Sequence, residues 1–329
     1  MKKTQETFII ITEAVTHTDR SVRKNHTKKL HIGGVMKQGL CSLCPRACNA
    51  DRTEHLGVCR MPNTVHIARA DLHRWEEPPI SGTQGSGTVF FSGCTLRCVF
   101  CQNRVISHDG GGKEISIRAL GEKMLALQSK GAHNLNLVTG TQFVPQILEA
   151  LREIRSDLYI PVVWNTSGYE TEETVDALSE FVSVWLPDFK YASGDLSARL
   201  SGARDYPEVA ARAIRRMYEH AGAFTADTDG ICTSGVLVRH LVLPGQRKDS
   251  LAVLDRLREI VPPTDVRLSL MWQYTPEFLP EGAEYDTLRR RVTTFEYDSV
   301  RKHALSLGFT GFEQDRSAAT KAYTPDFEI

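Results

Sequence analysis

From Thr88 onward, short apolar runs alternate with stretches whose apolar residues recur every three or four positions. The runs Thr88–Phe91, Leu135–Val138, Ile160–Trp164, Val182–Leu186, Val236–Val242 and Val266–Met271 predict strands, with Phe309–Phe312 as a last one. Between them the helical period predicts helices, the first carried by Ile117, Leu120, Met124, Leu125 and Leu127 and closed by Gly131. Others follow over Val144–Ile154, Thr171–Phe181, Val209–His220, Leu251–Ile260 and Tyr297–Leu307, with Thr171 as an N-cap. Strands that are apolar throughout have both faces covered, which is the mark of parallel βαβ units. The expected fold class is α/β, an open or partial barrel of about six or seven units. In such sheets ligands bind at the carboxyl ends of the strands, so the residues just after each strand are the first to inspect.

The chain before Thr88 has a different texture. Residues 1–36 are polar and basic, apart from the short apolar run Phe8–Thr12, and are expected to form a flexible leader. Residues 37–87 hold a cysteine-rich module followed by a connecting segment with Pro78 and Pro79, and residues 88–329 form the barrel. His73 and Glu76 in that connector are candidates to line the entrance of a site, against the plainer reading of a solvated linker. Lys plus Arg and Asp plus Glu balance at 40 each, which removes any bulk electrostatic case for nucleic acid or an anionic membrane as partner. No apolar run reaches the roughly 20 residues that span a bilayer. The eight cysteines fall into two tight groups plus Cys232, which is assigned no role. Such grouping points to metal in a reducing compartment rather than to disulfides, so a cytoplasmic protein is expected.

Cys94, Cys98 and Cys101 lie on one loop directly after the first strand. Three thiolates at this spacing hold three corners of a [4Fe-4S] cubane, and no fourth cysteine is at hand in the motif, so one iron stays open to an external ligand. Zinc, which prefers paired Cys-x2-Cys knuckles and four closed ligands, fits this triplet poorly. Phe100, just before the last cysteine, suits packing against a planar ring.

The stretch Ser86-Gly-Thr-Val-Phe-Phe-Ser-Gly-Cys94-Thr-Leu-Arg-Cys98-Val-Phe-Cys101-Gln-Asn103 resembles the radical S-adenosylmethionine family, and more narrowly the homologues of pyruvate formate-lyase activating enzyme. The likeness continues through Gly131–Asn136, Asn165-Thr-Ser-Gly-Tyr169, Pro187-Asp-Phe-Lys190, Arg239-His-Leu-Val-Leu-Pro-Gly245 and Gln273-Tyr274. It implies a partial (β/α)6-type barrel in which S-adenosylmethionine chelates the open iron. Reductive cleavage then yields a 5′-deoxyadenosyl radical, which takes hydrogen from a protein glycine or a small molecule. An electron donor such as flavodoxin or ferredoxin, and a glycyl radical enzyme or a metabolite as substrate, are the implied partners. Where family members carry Gly-Gly-Glu, this chain has Thr139-Gly140-Thr141-Gln142, so Thr139 and backbone carbonyls are left to meet the cofactor ammonium. The resemblance further places Asn165, Thr166, Asp188 and Lys190 around the cofactor, with Asp188 and Lys190 readable also as a structural ion pair. Arg239, a charge on an apolar strand, needs a partner, and a cofactor carboxylate suits it. Gln273 is within reach of adenine or ribose, while His240 points to the opposite face of its strand.

The second group, Cys41-x2-Cys44-x3-Cys48-x10-Cys59, supplies four thiolates within 19 residues. Four cysteines saturate either a zinc ion or a second [4Fe-4S] cluster, and the knuckle-like opening suits the former as a redox relay suits the latter. The competing class for the whole chain is a metal-stabilised binding or scaffold protein without radical catalysis.

Overall fold

The computed structural model describes residues 9–11, 36–37, 40–314 and 327. Its strands are β1 (Ile9–Ile11), β2 (Met36–Lys37), β3 (Leu40–Cys41), β4 (Val65–His73), β5 (Ser86–Phe91), β6 (Lys113–Ile115) and β7 (Leu135–Val138). They continue as β8 (Val162–Thr166), β9 (Val182–Pro187), β10 (Thr225–Ala226), β11 (Cys232–Leu241), β12 (Arg267–Met271) and β13 (Thr310–Glu313). The helices are α1 (Pro78–Ser81), α2 (Arg104–Ser107), α3 (Ile117–Ser129), α4 (Val144–Glu153) and α5 (Glu172–Leu178). After them come α6 (Gly194–Ser201), α7 (Tyr206–Ala221), α8 (Arg247–Ile260) and α9 (Thr294–Ser306).

Among the described residues β5, β7, β8, β9, β11, β12 and β13 pair in parallel, each beside its predecessor in the chain. Because the order never reverses, every crossover winds the same way and the sheet curls into an open α/β barrel with β6 and β1 at its ends. Strand alternation divides two cores. Val162, Trp164, Val236 and Val238 face the helices in the main cluster, whereas Val163, Val184, Leu186 and Leu237 fill the interior with Ile80 and Cys232. By the same alternation Arg239 shares the interior face with Leu237.

Two expectations change here. Part of the expected connector is sheet: β4 pairs antiparallel with β5 from Ile67↔Phe91 to His73↔Ser86, and α1 sends Ile80 into the barrel interior. Within the expected leader, Ile9–Ile11 adds an antiparallel edge strand to β13, while most of residues 1–36 lies outside the described residues. The helix α6 was also not expected; Ser193 caps it by accepting a hydrogen bond from Leu196 N. Thr171 caps α5 as predicted, accepting from Thr174 N at 3.1 Å.

Helix α9 opens on a capping box, Thr293 with Glu296. Glu296 also accepts from Gly245 N at 2.7 Å and from both terminal nitrogens of Arg290. Arg290 and the backbone donors outweigh burial and hold its carboxyl at about 2, below the ordinary 4.5. A depressed carboxylate stabilises the fold above its ordinary value, and that contribution fades as the pH falls towards 2. Glu296→Gln is expected to lose about 1–2 kcal/mol at neutral pH, discounted for the half-exposed Arg290. Urea midpoints of the two proteins should converge as the pH is lowered; a constant gap would contradict this account.

Candidate active site

The loop after β5 places Cys94, Cys98 and Cys101 at the carboxyl end of the barrel. Gly93 turns the chain into it with φ +78°, and a Cβ there would stand 2.7 Å from the Cys59 carbonyl oxygen and closer still to Met61. The loop is pinned on its far side by Val99 N donating to Leu200 O at 2.9 Å. Each sulfur has a donor: Leu96 N to Cys94 Sγ at 3.4 Å, Ser201 Oγ to Cys98 Sγ at 3.0 Å and Ser107 Oγ to Cys101 Sγ at 3.3 Å. Burial pushes the Cys98 and Cys101 thiols up, and with the charges of neighbouring cysteines added Cys101 reaches about 12. These mutual effects mark the sulfurs as neighbours, and donors aimed at sulfur stabilise thiolates once a metal displaces their protons.

The triplet opens on a cavity of about 260 Å³. Phe100, Thr139, Asn165, Thr166, Asp188, Lys190, Arg239 and Gln273 all line it, drawn from the ends of five strands and the cysteine loop. Its floor is one hydrogen-bonded polar network. Arg239 Nε donates to Asp188 Oδ1 at 2.9 Å, its NH1 to Glu76 Oε2 at 3.3 Å and its NH2 to Asn165 Oδ1. Lys190 Nζ donates to Asp188 Oδ2 at 2.6 Å, and the amides of Asn136 and Asn165 both donate to Glu76 Oε1. Burial drives the Asp188 carboxyl up, yet Arg239 and Lys190 more than offset it and hold the group below the usual range. Burial dominates at Glu76, whose carboxyl rises even beside Arg239. His73, against the same cavity, is pushed down to about 4 by burial and then by Arg69, and is neutral at physiological pH.

The partners of Arg239 are thus protein carboxylates and an amide, where a cofactor carboxylate was expected. The side chains of Arg239 and Glu76 are only 13% and 11% exposed, so this pairing, with residues of β4–α1 and β9, is what offsets burying the cation. Gln142 does not line the cavity: its amide donates to Ser92 O, Gly93 O and Thr139 O and ties the cysteine loop to the end of β7. His240 is buried with Nδ1 on Phe189 O, a structural placement. Cys232 lies in the interior core at the start of β11, the strand end opposite Arg239. His73 and Glu76, candidates to line an entrance, both line this cavity, but the pairing of Glu76 with Arg239 was not foreseen. Glu170 escaped assignment, and it accepts from Thr141, Trp164 and Thr166 behind the cavity wall.

The second cysteine group packs directly against this loop. Cys41 N bonds to Ala50 O and Asn49 N to Cys41 O, and Ala47, Asn49 and Arg60 adopt positive φ in the tight turns. Burial raises Cys44, to about 12, and Cys59; the charges of Cys59 and Cys41 act on Cys44, and those of Cys41 and Cys48 on Cys59. A Cβ at Gly57 would stand 2.7 Å from Cys48 Sγ. Among the described residues, no three His, Cys, Asp or Glu side chains are gathered as closely as a single metal ion requires. Arg46 joins this module to the barrel, donating to the carbonyls of Thr95, Leu96, Ser201 and Gly202 with its guanidinium over Tyr169. Arg52 does the same towards Met61 O and Gln142 O.

The family model of the Radical SAM superfamily matches residues 88–257, the span from the first parallel strand into α8. The chain belongs to the radical S-adenosylmethionine superfamily. Members are enzymes of S-adenosylmethionine-dependent radical chemistry with a [4Fe-4S] cluster, and the donor set of the triplet fits that cluster. An uncharacterized protein of Methanocaldococcus jannaschii is 28% identical over 271 residues, covering 80% of this chain and 72% of its own. Among solved structures, Streptococcus suis SuiB bound to its precursor peptide SuiA aligns with 65% of this chain and 43% of its own, at TM-score 0.45 and 12% identity. SuiB bound to S-adenosylmethionine gives 65%, 44%, 0.44 and 13%. The chain spans less than half the length of SuiB. Among the described residues no helix is long and apolar enough to cross a membrane.

Proposed function

We propose that this radical S-adenosylmethionine enzyme holds its catalytic cluster on Cys94, Cys98 and Cys101 and its cofactor in the adjoining cavity, and abstracts hydrogen from a protein glycine or a small molecule. The observation that carries this reading is the convergence of the triplet and eight candidate cofactor residues on one cavity. When bound, the cluster supplies an electron that cleaves S-adenosylmethionine reductively to a 5′-deoxyadenosyl radical. The chain's own residues bind and orient. Thr139 and nearby carbonyls accept from the cofactor ammonium, and Asn165, Thr166 and Lys190 hold its carboxylate end. Arg239 and Asp188 position those side chains, while Phe100, edge-on to Tyr274 at 5.9 Å, and Gln273 meet adenine and ribose. Phe90, Phe91 and Ile106 keep water from the reacting centre.

For Cys41, Cys44, Cys48 and Cys59 we propose a second [4Fe-4S] cluster, with structural zinc as the alternative. The guanidinium of Arg97 lies near Arg60 and Arg104, at the rim beside Cys94. That basic group suits an acidic one-electron donor such as flavodoxin or ferredoxin. The test is anaerobic reconstitution, metal analysis and incubation with dithionite and S-adenosylmethionine. Release of 5′-deoxyadenosine is expected, with about eight irons per chain, or about four and one zinc under the alternative. A reconstituted, reduced protein that makes no 5′-deoxyadenosine would favour the scaffold reading.

A further inference from the structure

The cavity has an apolar side that the polar chemistry does not use. Ala68 of β4, Phe90 of β5, Ile106 of α2 and Val138 of β7 form a cluster of their own, separate from both barrel cores. Phe90, Ile106 and Val138 also line the cavity, so this wall flanks the cysteine triplet. Among the described residues Phe327 also packs on it, its ring meeting Phe90 edge-on at a centroid distance of 5.5 Å. On another side Phe90 meets the ring of His73 at 5.9 Å, likewise edge-on.

An aromatic ring from a residue more than 180 positions beyond the wall in sequence is therefore lodged beside the place where the substrate must be presented. Apolar surface inside an active site is buried by whatever best excludes water from it, here a phenylalanine on a peptide backbone. An aromatic side chain matches that wall in apolar character.

Building on the radical reading above, we infer that the wall of Ala68, Phe90, Ile106 and Val138 is a subsite for an aromatic side chain of a peptide substrate, and that Phe327 fills it as an internal stand-in. A tethered occupant competes at an effective concentration in the millimolar range, so an incoming peptide must displace it.

The test uses the full chain, unreduced, with a fluorescent peptide of residues 321–329 and anisotropy as the readout. The peptide is expected to bind the Phe327→Ala chain at least about tenfold more tightly than the unsubstituted chain, because the internal competitor is gone. Phe327→Leu should give an intermediate gain, and the peptide carrying the same Phe327→Ala change should bind neither chain well. Equal affinity for the two chains, or an alanine-bearing peptide that binds as well as the parent, overturns the inference. So does competition by phenylalanine amide as effective as that of the peptide, which would assign the subsite to a small aromatic molecule. Formation of 5′-deoxyadenosine is scored separately on reduced protein, so loss of the radical reading and loss of the subsite are told apart.

Discussion

Cys98→Ala is expected to bring 5′-deoxyadenosine formation down to background while leaving the fold intact. Cys98 is the best-held member of the triplet: Ser201 Oγ donates to its sulfur, Tyr191 OH bonds to Ser201, and Val99 N next to it is tied to Leu200 O. A cubane held by two thiolates instead of three has two exposed irons and is readily lost. The fold should survive, since a small side chain at a buried sulfur position leaves only a minor void. Cys44→Ala is the control, because it belongs to the other group. It should remove the proposed second metal and lower but not abolish the product, since Arg46 still braces Thr95, Leu96, Ser201 and Gly202. Iron content, visible absorbance and product release check both variants. Parent-level product from Cys98→Ala would remove the triplet from the reaction.

Arg239→Met is expected to destabilise the protein by about 3–5 kcal/mol, the range seen when one partner of a buried ion pair is removed. The loss leaves Glu76 in the barrel interior with only the Asn136 and Asn165 amides, and leaves Asp188 with Lys190 alone. The pH dependence has a definite sign. Burial already raises the Glu76 carboxyl, and without Arg239 it rises further. A raised carboxyl destabilises the fold while ionised, so the deficit of the variant should shrink as the pH falls and Glu76 takes up a proton. Glu76→Gln in the same chain should recover part of the loss at neutral pH. Denaturant midpoints of the single and double variants across pH measure this; a single-variant loss under about 1 kcal/mol would mean that the network is not coupled.

Much of the barrel was legible because its signals are local. Leu135–Val138 was found residue for residue, and the strands at Val182 and Arg267 to within one residue at each end, since an apolar run between turn residues needs no tertiary information. β4 was not legible. Its sequence, VHIARADLH, mixes His66, Arg69, Asp71 and His73 into the strand, and it pairs antiparallel between β5 and β6 near the sheet edge, where polar residues are tolerated. Glu76 was legible as a candidate to line the entrance, but its ion pair was hidden for a related reason. Nothing within a few residues of it shows that a glutamate two positions before a pair of prolines will meet Arg239, which lies 163 positions away.

The sequence by itself determined the chemistry: three cysteines at fixed spacing on one loop, four more in a second group, and alternating strand and helix periods that admit few folds. These are short-range properties, encoded in neighbours along the chain. Tertiary structure alone decided what surrounds them. Closing the sheet brought Glu76, Asn165, Asp188 and Arg239 into one network, docked the second cysteine module against the first through Arg46, and set Phe327 on the wall beside the triplet. Those contacts join residues far apart in sequence, and their partners are chosen by which buried charges and apolar faces must be matched once the barrel has formed.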